Sequence, residues 1–362
     1  MIYLDYQATT PLAPEARDAM LRWLDGPGGT GFGNPHSPHR MGRMAAAAVE
    51  VARDRVATLF PPGGQVIFAG SATEALNLAI RGNAAVRSGE HIAFSAIEHA
   101  AVIDTVKAIG NWTELPVGAD GVIAPDVDMP KYVGLLAVMQ VNNEIGTIQP
   151  IGEMAKRAKD TGALLLVDGV QAAGKMALPR EADMIAVSAH KLHGPKGIGA
   201  LWVRDGLDLE EVQTGGGQEF GLRSGTLSPA LIAGMGAAAQ RANETFDQDA
   251  EHVRTLWNSA RELFDDWTLN GSADARWHGN LNIRREGLDV GRLMSDVRDV
   301  MFSAGSACAS GSGRPSHVLK AIGLSDRGAK SSIRLGFGRY TTMEEIEEAA
   351  GKINAAAEAQ GL

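Results

Sequence analysis

The stretch ALLLVDGVQAAGKMALPREADMIAVSAHKLHGPKGIGALWV, residues 163–203, decides the fold. It contains three short apolar runs, ALLLV at 163–167, MIAVS at 184–188 and GALWV at 199–203. Runs of this length with no polar alternation read as strands buried on both faces. Working outward, VIFA at 66–69, HIAFS at 91–95 and LLAVMQV at 135–141 have the same character, with helical patterns at 73–81 and 151–161 between them. Strands alternating with helices predict an α/β domain built on a mostly parallel sheet covered on both faces. From residue 229 the pattern changes to a long Ala-rich helical stretch, 229–267. The weaker strand candidates NLNIR and SSIRLGFG follow, then a last helix in TTMEEIEEAAGKINAAAEAQ. This part reads as a smaller α+β domain.

Composition narrows the function classes. The 362 residues carry a net charge of −9, with 44% hydrophobic and 21% charged side chains, as in an ordinary globular protein. No run of basic residues offers a nucleic-acid or anionic-membrane surface, so neither is expected as a partner. The single cysteine, Cys308, cannot form an intrachain disulfide or a thiolate metal cluster, which points to a reducing, cytoplasmic setting. The opening MIYLDYQATTPLAPEAR is not a secretory signal, and no apolar stretch is long enough for a membrane span. There are 44 glycines, well above the usual share of about 7%, so many backbone positions are expected to need positive φ or close approach to something bound.

Some glycine and histidine patterns mislead. Residues 26–31, GPGGTG, fit a dinucleotide fingerprint, but they follow a helix-like segment rather than a strand and are a poor candidate. His36 and His39 have no carboxylate or thiol nearby, so no metal site is expected. A better candidate follows VIFA, where Ser71 and Glu74 have the spacing of a capping box. A helix starting there would aim free N–H groups out of the sheet's carboxyl edge, as a phosphate cradle or simply a helix cap. Asp168 ends ALLLV, and Lys191 comes twenty-three residues later, just beyond MIAVS, so both sit at that edge. Spacing alone allows an Asp–Lys salt bridge. It equally allows a lysine that forms a Schiff base with an aldehyde cofactor whose pyridinium nitrogen the aspartate holds. With the cradle upstream, the parts of a pyridoxal phosphate site are present. Cys308 lies in SAGSACASGSG, a run too small and polar for a core, so a reactive thiol on an exposed, mobile segment is expected. Arg334, inside the apolar SSIRLGFG, suits either an ion pair or a bidentate carboxylate clamp.

Taken together, the motifs resemble the cysteine desulfurases of the class V aminotransferase group. The matching segments run along nearly the whole chain: YLDYQATTP (3–11), FGNPHSPHRMG (32–42), SATE (71–74), EHAAV (98–102), VNNEIGTIQP (141–150), VDGVQAAGK (167–175), SAHKLHGPKGIGAL (188–201), GGGQEFGLRSGT (215–226), GSACAS (305–310) and SSIRLGFGR (331–339). Ser71, Gln140 and His193 stand where relatives often have glycine, histidine and tyrosine. The G-S-A-C loop is similar to the branch serving iron–sulfur cluster or nitrogenase assembly, although the chain lacks the longer tail some relatives use to contact a scaffold protein.

The resemblance implies the fold type I architecture of pyridoxal phosphate transferases. A large domain, 16–245, would hold a mostly parallel seven-stranded sheet, and a smaller α+β domain, 1–15 plus 246–362, would carry the Cys308 loop. It also implies residue roles. Lys191 would bind pyridoxal 5'-phosphate covalently, Asp168 would pair with its pyridine nitrogen, Gln171 would face its phenolic oxygen, and His99 would stack on its ring and take part in catalysis by moving protons. Ala72, Thr73, Ser188 and His190 would hold the phosphate, and Thr226 would reach the phosphate of a homodimer partner. Asn143 would contact the cofactor and, with Arg334, bind the substrate carboxylate. The implied reaction converts L-cysteine to L-alanine: Lys191 acts as base, and Cys308 takes the sulfur as a persulfide for an acceptor such as an iron–sulfur scaffold. Selenocysteine lyase or aminotransferase chemistry is the alternative.

Overall fold

Every apolar run of 163–203 forms a strand, and so do the three upstream of it. The computed structural model describes residues 1–87, 89–305 and 315–362. Along the chain the elements are β1 (Ile2–Tyr3), α1 (Pro14–Leu21), α2 (Arg40–Ala57), β2 (Gly64–Ala69), α3 (Ala72–Val86), β3 (His91–Ser95), α4 (Ala100–Ile109), β4 (Trp112–Leu115), β5 (Val133–Met139), α5 (Ile151–Thr161), β6 (Leu164–Asp168), β7 (Met184–Ser188) and β8 (Gly199–Arg204). There follow α6 (Pro229–Glu244), α7 (Phe246–Leu263), β9 (Thr268–Leu269), β10 (Asn280–Arg284), α8 (Val290–Asp296), β11 (Val300–Met301), β12 (Ser303–Ala304), α9 (His317–Ala321), α10 (Asp326–Lys330), β13 (Ser332–Gly336) and α11 (Met343–Glu358).

Among the described residues, β2 to β8 make a seven-stranded sheet in the order β2-β8-β7-β6-β5-β3-β4. All neighbours are parallel except β8, which runs antiparallel to β2 and β7. Strand side chains alternate between faces, and here they feed two separate apolar clusters. Val66, Phe68, Leu165, Val167, Ile185 and Val187 pack with residues of α1, α2, α5 and α6. Ile67, Phe94, Leu166, Met184 and Ala186 pack with α3 and α4. With both faces covered, the polar groups of the sheet are left to its edges. One edge gathers the ends of several strands, because Ala69 pairs with Gly199, Gly199 with Ser188, and Asp168 with both Met139 and Ala186.

A four-stranded antiparallel sheet, β12-β13-β10-β9, forms the base of a third apolar cluster with α7, α8 and α11. The first strand, β1, pairs with β11, so the N-terminal segment belongs to this cluster before crossing to the large sheet. The last helix starts on a complete capping box, Thr342 with Glu345. Two of the differences from the sequence reading have clear local causes. The helical stretch 229–267 is two helices, because Thr245 leaves the helical region (φ −111°, ψ 11°) and its hydroxyl lies 3.0 Å from the Arg241 carbonyl and 2.8 Å from Asp249. The short edge strand β4 has no counterpart in that reading, since WTEL is mostly solvent-facing and lacks an apolar run.

Candidate active site

A cavity of about 350 Å³ lies at the sheet edge where β2, β5, β6 and β7 end. It is large enough for a small organic cofactor. Its walls bring together Ala72, Thr73, His99, Asn143, Asp168, Gln171, Ser188, His190, Lys191 and Arg334, residues spread over 262 positions of sequence. Thr226 is exposed and is not part of this wall. Cys308 lies outside the described residues.

The floor at the β2 end is the start of α3. Ser71 caps it, its hydroxyl accepting from the Glu74 N–H at 3.1 Å. The Glu74 carboxylate does not complete the box on Ser71; it accepts from the Gly70 N–H at 2.7 Å and from Arg223 at 2.6 Å. The first-turn N–H groups of Ala72 and Thr73 make no hydrogen bond among the described residues, as expected of the first turn of a helix. Together with the Thr73 and Ser188 hydroxyls they form an anion cradle at the positive end of the helix dipole. By contrast, the N–H groups of Thr30 and Gly31 in the GPGGTG stretch are bound by the Asp25 carboxylate.

Gly199 determines how closely β8 approaches this cradle. A Cβ there would lie 2.7 Å from the Ser71 carbonyl carbon and 2.8 Å from the Ala72 nitrogen. Gly199→Val is therefore expected to displace the start of α3. It should cost about 1–3 kcal/mol of stability and weaken cofactor binding at least about tenfold, or 1.4 kcal/mol. Thermal melting and equilibrium titration with pyridoxal phosphate would measure both.

Asp168 ends β6 and is buried; its Oδ1 accepts from the Val170 N–H at 3.0 Å. Burial pushes its pKa up, and the Val170 N–H, His99 and Lys191 pull it back. A desolvated carboxylate of this kind is stabilised by a cationic N–H donor. Behind it, Glu98 is fully buried, accepts from the Met139 N–H and is raised well above the usual carboxylate range, first by burial and then by the charge of Asp168. His99 caps α4, with Nδ1 accepting from the Ala101 N–H at 3.1 Å. Burial lowers its pKa against the opposing pull of Asp168, and with Nδ1 accepting, the ring N–H lies on Nε2.

Lys191 ends a short 3-10 turn after β7. Its amine donates to the Gln7 carbonyl and, at 2.8 Å, to that of Ala8. The N-terminal segment is fastened over this turn: the Thr10 N–H donates to the His190 carbonyl at 2.9 Å, and the His193 N–H to the Thr10 hydroxyl at 2.8 Å. Burial, with Lys191 nearby, lowers His190 to about 4, so it faces the cradle as a neutral ring. His193, also lowered to about 4, packs edge-on against Tyr6 and Tyr340. Gln171 donates from Nε2 to the Gln7 carbonyl at 3.1 Å.

The opposite wall is Arg334 on β13. Its guanidinium is fully buried and donates to Asp5 at 2.6 Å, to Ser303 at 3.2 Å and to the Asn143 carbonyl at 3.1 Å. Its Nε has no partner among the described residues. Arg334 is thus ion-paired to Asp5 while also lining the cavity. Gln7, Ala8, Asp5 and Glu98 were not singled out in the sequence reading. Gln7 and Ala8 act through backbone carbonyls, which any residue supplies, so no residue-type signal points to them.

The donor set fits pyridoxal phosphate: a helix-start cradle for the phosphate, a buried carboxylate for the pyridine nitrogen, an amine for the aldehyde and a ring beside them. Comparison with known proteins agrees. The cysteine desulfurase IscS of Rickettsia akari (strain Hartford) is 40% identical over 372 residues, covering 97% of this chain and 90% of the relative. A solved NifS-like protein superposes with a TM-score of 0.88 at 29% identity, covering 98% of both chains. The structure of SspA in complex with cysteine superposes with a TM-score of 0.82 at 33% identity, covering 94% of this chain and all of that one. The family model for aminotransferase class-V matches residues 2–348, and the chain belongs to that family.

Proposed function

We propose that this chain is a pyridoxal phosphate-dependent cysteine desulfurase that converts L-cysteine to L-alanine and keeps the sulfur as a persulfide on Cys308. The observation that carries the reading is the convergence of Lys191, Asp168, His99, Gln171, Arg334 and the α3 cradle on one cavity, in a chain of this family. When bound, pyridoxal phosphate supplies an aldehyde that links to amines and a protonated ring that withdraws electrons from the substrate's Cα. The protein's residues do the rest. Asp168 holds the proton at the ring nitrogen, Gln171 donates an N–H to the phenolic oxygen, and neutral His99 covers the ring face. Ala72, Thr73, Ser188 and His190 hold the phosphate. Arg334 and Asn143 orient the cysteine carboxylate, and the Lys191 amine takes the proton from Cα. The Cys308 thiolate attacks the substrate sulfur: the new S–S bond forms as the C–S bond breaks, and the electron pair left on carbon takes up a proton to give alanine. Cysteine and one thiol thus become alanine and one persulfide.

In this reading residues 16–245 bind the cofactor, and 1–15 with 246–362 form the smaller unit that contributes Arg334 and Cys308. The enzyme works as a homodimer in which Thr226 reaches the partner subunit's phosphate. The exposure of Thr226, and of the apolar Phe32 and Phe220, supports that arrangement. Among the described residues no helix is long and apolar enough to cross a membrane. We place the enzyme in the cytoplasm, passing sulfur to an acceptor protein such as an iron–sulfur scaffold.

The test is turnover of L-cysteine with a reductant, measuring alanine and sulfide together. The parent should give both in equal amounts. Cys308→Ala should retain the visible absorbance and its response to cysteine while sulfide release falls at least about a hundredfold, the scale of losing one reacting group. Alanine formed at the parental rate by that variant would remove the thiol from the mechanism, and a keto acid product would point to amino transfer.

A further inference from the structure

A second lysine lies next to the cavity without a role in the chemistry above. Lys175 lies four residues beyond Gln171 in the turns after β6, and its amine is 3.5 Å from Gln171 Oε1. It shares a small cavity of about 30 Å³, enough for one water, with Tyr6, Gln7, His193, Asp249 and Arg339. The carboxylate there is already engaged: Asp249 accepts from Arg339 at 2.7 Å and from the Thr245 hydroxyl at 2.8 Å. Lys175 has no carboxylate partner among the described residues, an expensive position for an ammonium. Burial, with Lys191 nearby, lowers it to about 7.

We propose that Lys175 is a positioning residue that acts through Gln171, fixing which face of its carboxamide the cofactor meets. The Lys175 amine donates to the amide oxygen, Oε1. The amide nitrogen is then turned the other way, where one N–H already meets the Gln7 carbonyl at 3.1 Å. The second N–H remains for an acceptor in the main cavity, which Gln171 lines. A carboxamide in this orientation turns an N–H toward a negative oxygen in front of it. It thereby lowers the pH at which the cofactor, linked to Lys191, loses its proton. The other charged or titratable groups facing Lys191 and Lys175 are His99, Asp168, His190, Arg334, His193, Tyr6, Asp249 and Arg339. None of them is altered in the test.

This inference rests on the cofactor reading. The experiment is a pH titration of the visible absorption band of the holoenzyme without cysteine, from neutral to alkaline pH. Lys175→Met should move the midpoint up by about one pH unit. Lys175→Arg, which keeps a donor toward Gln171 Oε1, should stay near the parent, and the Met shift should shrink by at least half in a Gln171→Leu background. Should the Met variant fail to fold, Lys175→Gln is expected to shift in the same direction. An unmoved midpoint in the neutral variants, an Arg variant that moves as far as Met, or a full shift in the Gln171→Leu background would overturn the proposal. A parent protein with no visible band overturns the cofactor reading itself, whereas a normal parent band with unmoved variants overturns only the role of Lys175.

Discussion

Lys191→Ala is expected to abolish alanine formation from L-cysteine, with turnover down at least about 10⁴-fold, the upper end of what one proton-transferring group supplies. The purified variant should lose its visible absorbance on dialysis, because the amine that would hold the aldehyde is gone. The fold should survive. The Lys191 amine donates to two carbonyls, those of Gln7 and Ala8, and these belong to a segment secured independently by Thr10 on His190 and His193. Losing hydrogen bonds of this kind costs about 1 kcal/mol each, so melting should shift by only a few degrees. Absorbance, alanine assay and thermal melting together separate chemistry from folding. A visible band that persists and becomes fixed on borohydride reduction would mean that a different amine carries the cofactor. Lys175, one contact away through Gln171, would then be the residue to examine.

How far the sequence discloses this site depends on what kind of atom does the work. Asp168 and Lys191 are legible because a charge at the end of an apolar run has few explanations, and both runs become strands with the expected ends at 168 and 188. The α3 cradle is half legible. Ser71 marks the helix start, but Glu74 turns to Gly70 and Arg223, a choice set by a loop about 150 residues away. Arg334 reads as unusual inside β13, yet its anchor Asp5 comes from the opposite end of the chain through the pairing of β1 with β11. The carbonyls of Gln7 and Ala8 carry no residue-type signal at all. The same contrast holds for the fold. Runs buried on both faces give their strands away, whereas the solvent-facing β4 and the helix break at Thr245 depend on local hydrogen bonds and edge pairing that composition does not report.

Asp168→Asn is expected to move activity and stability in opposite directions. The amide can still accept from the Val170 N–H, so the local geometry is retained. What it loses is the negative charge that the proposed function assigns to keeping a ring nitrogen protonated. Removing one preorganised electrostatic partner from a dry site costs about 10²–10³-fold, and the loss here should be at the upper end, about 10³-fold, since the carboxylate is buried rather than screened by water. Stability follows a different rule. Burial raises the pKa of Asp168 in the fold, so between its unfolded value near 3.8 and that higher folded value the native state holds the proton more tightly than the unfolded chain. Stability from this group is therefore greatest below the unfolded value, falls as pH rises through that window and stays low above it. The neighbouring Glu98 is raised further by the charge of Asp168, which adds to the same cost. Asparagine has no charge to desolvate, so the cofactor-free variant should melt at the same temperature as the parent or higher above the window, while its advantage disappears in acid. Melting curves of the cofactor-free proteins across pH, set beside alanine formation by the holoenzymes, would check both. A variant that melts lower than the parent at neutral pH would mean that the carboxylate is a net structural contact, and the case for Asp168 as a charge held in readiness for the ring nitrogen would fall.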